Sequence, residues 1–364
     1  MNDVILFGLG AIGSRILRVL EDDYPRLRVV GAVDYDVAKA GKPIRELVPH
    51  HRFGDVVVTP DLTACLKGLG RKPEILLHLT ESKPERIGPQ LIAALDSGLN
   101  VLSAAESMFY PALRYPNFAR DLDTAAKGNG VTISGCGINP GFSYDILPLV
   151  LARATSAITS IAVRRCIDVT GTGPGDIEHV GYGLTPEVFR SHLASGKIVG
   201  HMGAPESVTL LAEYLDMQLD LVTEAWDIET AKFEVDSGDP TLGVLPPGRV
   251  IGITQSATGS FQGREVITTR LAMYYEPGRF GLEESDIIEI DGAMPVHMTI
   301  RPAVQSLFGA ANVITSAIAN VASAPPGLAA MLELPLAAAR RGTVRYQIDP
   351  ARSLEPGRIP LRAA

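Results

Sequence analysis

The chain opens Val4-Ile5-Leu6-Phe7-Gly8-Leu9-Gly10-Ala11-Ile12-Gly13 and, after a helical pattern and a second apolar run Arg28-Val29-Val30-Gly31-Ala32-Val33, reaches Asp34. An apolar strand that breaks into three glycines and resumes as a helix is the pattern that grips a dinucleotide. Gly8 permits the tight turn, Gly10 lets the backbone approach a pyrophosphate, and Gly13 lets helix and strand pack closely. The helix N-terminus, including the N–H groups of Ala11 and Ile12 beside Leu9, offers unpaired donors to phosphate charge. Asp34 follows the second strand roughly 20 residues beyond the glycines, where a carboxylate accepts hydrogen bonds from ribose hydroxyls. NAD or NADP is therefore the expected cofactor, with Lys39 and Lys42 near enough to Asp34 to soften any discrimination against a 2′-phosphate.

Working outward, apolar strand signals recur at 4–7, 28–33, 55–58, 74–79, 99–103 and 131–134, with helical patterns at 11–22, 61–69, 87–97 and 117–128. Repeated βα units predict a doubly wound parallel sheet of the Rossmann type over residues 1–140. Past that point a helix starts near Asp145. Long β-branched segments then follow at 158–168, 219–229, 248–255, 265–275 and 294–300, with few helices between them. Residues 141–301 thus read as a second, α+β domain on an open mixed, largely antiparallel sheet. Residues 301–322 carry no charge after Arg301, so 302–335 are expected to pack back on the first domain or on a dimer partner. Residues 336–364 read as a C-terminal arm.

A length of 364 residues suits two cores, and a net charge of −8 without a basic block offers nothing to nucleic acid or an anionic membrane. No run reaches the about 18 apolar residues of a membrane span, and Met1 leads directly into the first strand. A cytoplasmic protein with a small-molecule partner is expected. Cys65, Cys136 and Cys166 lack a C-x-x-C spacing and the seven histidines form no H-x-x-x-H pair, so neither disulfides nor a metal site is indicated.

In such sheets the residues just past each strand form the site. Thr80-Glu81-Ser82 follows the strand ending at Leu79, where a nicotinamide ribose lies. Ser82 with Glu85 also reads as a capping box. Ser103-Ala104-Ala105-Glu106 follows the next strand; the small residues let the chain pass close to a flat ring, and Glu106 then projects toward whatever the ring reacts with. A carboxylate there can move protons or stabilise a cationic nitrogen, although the residue alone also fits a solvated loop. Gly135-Cys136-Gly137-Ile138-Asn139-Pro140-Gly141-Phe142 fixes an unusual backbone path, with Asn139 offering its amide to cofactor or substrate. On the strand Arg164-Arg165-Cys166-Ile167-Asp168, alternation puts Arg164, Cys166 and Asp168 on one face.

Taken together, the glycine loop, Ser103–Glu106, the Gly137–Phe142 block with Asp145, Cys166-Ile167-Asp168, and Ala324-Pro325-Pro326-Gly327-Leu328 with Leu334-Pro335 resemble the 2,4-diaminopentanoate dehydrogenase family. That family includes the native amine dehydrogenases and is related to dihydrodipicolinate reductase in its N-terminal domain. The resemblance spans residues 1 to about 335. It implies a homodimer with NAD(P)-dependent interconversion of a ketone or aldehyde plus ammonia with an amine, and its catalytic glutamate maps onto Glu106. It also makes Asn139, Pro140, Phe142 and Asp168 the expected substrate-side residues, to which His179 is added as a polar candidate from the sequence itself. After Asp168 the chain departs from the family's basic residues and carries Gly171-Thr172-Gly173-Pro174-Gly175-Asp176 instead. A reductase of the same fold acting on C=O or C=C without ammonia, and a non-catalytic NAD(P)-binding sensor, remain alternatives at this level.

Overall fold

In the computed structural model, described for residues 2–49, 52–171, 177 and 179–335, the glycine stretch lies at the centre of a seven-stranded parallel sheet. Its elements are β1 (Asn2–Phe7), α1 (Ala11–Asp23), β2 (Leu27–Val33), α2 (Ile44–Leu47), β3 (Val58–Thr59), α3 (Leu62–Lys67), β4 (Ile75–His78), α4 (Pro84–Asp96), β5 (Asn100–Ser103), α5 (Pro111–Arg114), α6 (Pro116–Asn129) and β6 (Thr132–Gly135). Strand order, with β15 (Gly327–Ala329) contributed from late in the chain, is β15-β6-β5-β4-β1-β2-β3, so the winding reverses between β1 and β4. The central strands β1 and β4 are apolar over Val4–Phe7 and Ile75–Leu77 because helices cover both faces, and Val4, Ile5, Leu6, Ile75, Leu76 and Leu77 are fully buried.

The second half contributes α7 (Leu147–Ala152), β7 (Ser160–Asp168), α8 (Pro186–Ala194), α9 (Ala204–Tyr214), β8 (Leu221–Thr230), the hairpin β9 (Val235–Asp236) and β10 (Val244–Leu245), β11 (Val250–Phe261), β12 (Arg264–Tyr274), β13 (Ser285–Asp291) and β14 (Val296–Ile300). Its six-stranded sheet runs β14-β13-β7-β12-β11-β8, antiparallel except for β7 against β12. Register lays Trp226, Gln255, Leu271, Arg165 and Asp286 in one row across the inner face. The buried charge on β7 is therefore Arg165, not Arg164: Arg164 pairs with Glu289 at 2.7 Å on the outer face, while Arg165 pairs with Asp286 and bonds the Val304 carbonyl and Ser306. Asp286 also accepts from the Val304 N–H, so each buried charge has both an opposite charge and backbone partners. Sequence alternation identified the face of Arg164, Cys166 and Asp168 but not which face the core would choose.

The chain then returns to the first domain. Helix α10 (Ser306–Ser323) packs Ala311, Ile314, Ile318 and Val321 into the core that also holds Ile16, Leu17 and Leu20 of α1, and β15 (Gly327–Ala329) adds the seventh strand beside β6. By length and composition α10 is long and apolar enough to cross a bilayer, contrary to the reading from the sequence. Gly309 fits close against Val304 and Ile138, where a Cβ would stand 2.6 Å from Val304. The arm at 336–364 and the loop at 172–176 lie outside the described residues.

Candidate active site

The glycine loop has the geometry a pyrophosphate requires. Gly8 sits at φ +111°, and a Cβ there would lie 2.5 Å from the Leu79 carbonyl oxygen; a Cβ on Gly13 would lie 2.2 Å from the Gly8 carbonyl oxygen. Gly10, by contrast, faces free space, with nothing within 4 Å of its Cβ position. Two glycines are thus demanded by the protein's own backbone and the third leaves room, at the mouth of α1, for a group outside the chain. Leu9 is buried and Ala11 exposed, with Ile12 half-buried against the core. These residues fit NAD(P).

Asp34 closes the loop from the side. Its carboxylate accepts from the Leu9 N–H at 2.9 Å and the Asp36 N–H at 3.0 Å, and Lys39 Nζ lies 2.9 Å from Oδ2. Burial works against its charge, but the N–H groups of Asp36 and Leu9 and the Lys39 ammonium outweigh it and hold the carboxyl below its usual range. The lysine is therefore seated against the carboxylate that a ribose would meet.

At the ends of β4 and β5, buried His78 bonds Ser103 Oγ at 2.9 Å and Gln90 Oε1 at 2.8 Å, and Thr80 Oγ1 reaches both His78 and Gln90. Burial lowers the His78 pKa to about 4, so the ring is a neutral brace joining two strand ends. Ala104 continues the chain with its N–H on the His78 carbonyl. Glu81 turns aside to Arg86 at 3.4 Å. The capping box does not form. Pro84 takes the first helical position of α4, the cap position passes to Lys83, and Ser82 Oγ is left free to accept the Glu106 N–H at 3.0 Å.

That bond fixes the backbone of Glu106, and a loop from the second domain fixes its side chain. The Met202 N–H donates to Glu106 Oε2 at 2.9 Å, and His201 Nδ1 stands 3.2 Å from Oε1. His201 Nε2 lies 3.2 Å from Asn139 Nδ2. Gln255 clamps the His201 backbone from both sides, accepting its N–H at 3.0 Å and donating to its carbonyl at 2.7 Å. The flanking glycines permit this path: a Cβ on Gly200 would meet the Trp226 ring at 1.7 Å, and one on Gly203 would meet Pro140 at 2.5 Å. A small cleft opens here, lined by Asn139, Pro140, Tyr144, His201, Met202, Ala204, Gln255 and Leu271.

Behind its wall, fully buried Asp145 accepts from the Gly141 N–H at 2.7 Å and Ser207 Oγ at 2.9 Å, tying the Asn139–Gly141 turn to α9. Burial pushes its carboxyl up to about 8 against those two donors.

Of the residues expected on the substrate side, Asn139 and Pro140 line the cleft. Phe142, Asp168 and His179 do not. Phe142 packs on the core of the first domain, Asp168 caps the Thr170 N–H at the exposed end of β7, and the His179 carbonyl receives the Gly200 N–H. His201, Met202 and Gln255 were not identified from the sequence. The Gly200–Gly203 bracket is the one local signal, and it reads as an ordinary loop until Trp226 and Pro140 are seen pressing on it.

A doubly wound sheet with a dinucleotide-type glycine loop, and a carboxylate pinned by the residues that line a neighbouring cleft, defines an NAD(P)-dependent oxidoreductase. The model of the 2,4-diaminopentanoate dehydrogenase C-terminal domain matches residues 142–350, over half of the chain, and the protein belongs to that family, as an oxidoreductase acting on an amine. It is 28% identical over 355 residues to the 2,4-diaminopentanoate dehydrogenase of Acetoanaerobium sticklandii, covering 95% of this chain and 97% of the relative. It is 23% identical to an amine dehydrogenase of Streptomyces virginiae, covering 92% and 97%. Its fold matches the amine dehydrogenase structure from Mycobacterium smegmatis with TM-score 0.81 at 22% identity, over 95% and 97% of the two chains.

Two outcomes are expected from this geometry. Asp34→Ala frees Lys39 for a 2′-phosphate and should raise the NADP:NAD affinity ratio about tenfold, ~1.4 kcal/mol, while adding Lys39→Ala should cancel the gain; an unchanged ratio by calorimetry excludes both side chains from the ribose site. For Asp145 the folded pKa is raised, so its contribution to stability is present at pH below about 4 and is lost as pH rises through about 8. Melting curves across that window should show wild type losing stability relative to Asp145→Asn as pH rises; parallel curves would contradict the assignment.

Proposed function

We propose that the enzyme interconverts a small ketone or aldehyde plus ammonia with the corresponding amine, and that Glu106 is its catalytic carboxylate. The observation that carries this is the orientation of Glu106, with Oε2 held by the Met202 N–H and Oε1 turned to His201 at the cleft. When bound, NAD(P) supplies or accepts a hydride at its nicotinamide ring. Glu106 supplies what the other reactant needs. An iminium is a better hydride acceptor than a ketone, and a fixed anion in a water-poor cleft favours its cationic form. Forming it from ammonia and a carbonyl requires a proton delivered to the departing hydroxyl, which a carboxyl group in contact with the reacting carbon and nitrogen provides. Apolar Leu271, Pro140 and Ala204 exclude water on the far wall, and Asn139 is positioned to orient a polar substituent.

A screen of amines with both cofactors, and of carbonyl compounds with and without ammonium, tests the reaction; a carbonyl reduced to its alcohol regardless of ammonium refutes it. Glu106→Ala and Glu106→Gln should leave cofactor affinity nearly unchanged and lower amine turnover by about 10²- to 10⁴-fold, Gln because charge, not shape, is what a cationic intermediate requires. Near-normal kcat in both moves the chemistry elsewhere. The enzyme works as a homodimer on this reading. The outer face of the second sheet, where Ala162, Arg164, Thr268, Arg270 and Glu289 are exposed or half-exposed, supports it, and sedimentation at micromolar concentration should show a dimer that Ala162→Glu weakens.

A further inference from the structure

Glu106 touches a histidine that the reaction as drawn does not use. His201 presents Nδ1 to two groups that can only accept, Glu106 Oε1 at 3.2 Å and the Met202 carbonyl at 3.4 Å. Its Nε2 meets the Asn139 amide nitrogen, which can only donate, at 3.2 Å. All three contacts select one neutral tautomer, with the proton on Nδ1 and the lone pair on Nε2. The ring is held there through the Gln255 clamp on its backbone, and its side chain is 28% exposed while that of Glu106 is 24% exposed. One edge of the imidazole thus faces the carboxylate and the ring itself reaches solvent. The charged groups around it are Glu106 directly, and Glu224 through Gln255, with Arg114 on Glu224 and Glu206 beyond.

We propose that His201 is the proton relay that recharges Glu106 between turnovers. The proposal rests on the catalytic role assigned to Glu106. Each turn of reductive amination consumes one proton when the carbinolamine hydroxyl leaves as water: the C–O bond breaks, the Glu106 O–H bond breaks, and Glu106 is left as the carboxylate facing the iminium. To restore it, Nε2 takes a proton from a hydronium ion, giving an imidazolium, and Nδ1 gives its proton to Oε1; the ring regains its resting form when water takes the Nε2 proton and returns one to Nδ1. In the transfer one N–H bond forms and one breaks, the hydronium O–H bond breaks and the Glu106 O–H bond forms; no electron changes hands. In the deaminating direction the same steps run in reverse and export the proton. The contact to Asn139 keeps the departing proton on the nitrogen nearest the carboxylate, so Asn139 sets the direction in which the ring is loaded.

The test compares wild type, His201→Gln, His201→Ala and Glu106→Gln. His201→Gln keeps a side chain that can bond Glu106 but cannot relay, and His201→Ala opens a gap that imidazole can enter. Expected are a drop of about 10- to 100-fold in kcat for both histidine variants with NAD(P) affinity within twofold, and recovery of several-fold in His201→Ala on adding imidazole. Nitrogen NMR of histidine-labelled wild type, with His201→Gln identifying the signal, should show the Nδ1–H tautomer in the enzyme without substrate. Wild-type kcat in both histidine variants overturns the relay. So does a loss that imidazole does not repair together with an Nε2–H tautomer, which would leave His201 a structural prop for Met202. If Glu106→Gln is inactive while the histidine variants are not, only the relay fails; if Glu106→Gln is fully active, the role of Glu106 fails and the relay with it.

Discussion

Gly8 approaches Leu79 so closely that no side chain fits between them, and most of the site follows from that contact. It lies where the strand order reverses, between β1 and β4, and it seats the turn after β1 against the end of β4. A crevice beyond the carboxyl ends of the strands is the geometric result. On one side of it the space at Gly10 is wide enough for a phosphate; on the other, the chain leaving β4 places Ser82 where it can hold the Glu106 backbone after β5. Cofactor and carboxylate are thus set by neighbouring strand ends in one rigid sheet.

The side chain of Glu106 is set by the second domain, and there the constraint is compression of a short loop. Gly200 and Gly203 pass between Trp226 and Pro140 with no room for a Cβ, so the Met202 N–H and the His201 ring have one place to be. Asp145 reinforces the arrangement from behind by bonding both Gly141 and Ser207. Two further ties cross the same boundary, Tyr110 to Glu213 at 2.6 Å and Arg114 to Glu206 and Glu224. The Glu106 carboxylate is therefore positioned by both domains and depends on how they dock.

That division explains what the sequence revealed. Gly8, Gly10, Gly13, Asp34, Ser103 and Glu106 act through short-range geometry, the turn after a strand and the start of a helix, which apolar periodicity exposes. His201 and Gln255 meet from positions 54 residues apart, and no local spacing records that contact. Alternation on β7 gave the two faces of the strand correctly, yet burying Arg165 needed Asp286 and the Val304 backbone, both supplied from distant elements. Ser82 reads as a cap because its sequence satisfies the capping rule; Pro84 moved the helix start by one residue and released it for Glu106. The helices α8 and α9 were missed although Thr185-Pro186 and Ala204-Pro205 open them with ordinary helix-start signals, because the reading of this half followed its β-branched runs.

Charge in the cleft completes the physical case for a cationic reactant. Glu106, Glu206 and Glu224 converge from the turn after β5, from α9 and from β8; among the described residues the arginine that meets them is Arg114, shared between Glu206 and Glu224, while Glu106 faces the His201 ring. Arg165, the nearby buried guanidinium on the same sheet face, has its charge matched by Asp286. The described side chains around the cleft therefore carry more anionic than cationic groups, and low-dielectric walls formed by Leu271, Pro140 and Tyr144 concentrate that field. Such a cleft lowers the energy of ammonium and iminium relative to their neutral forms and raises that of an alkoxide. A carbonyl reduced directly would pass through developing negative charge on oxygen, and no described cation at the cleft is left free of a carboxylate to receive it. The same electrostatics that favour an amine disfavour the alcohol.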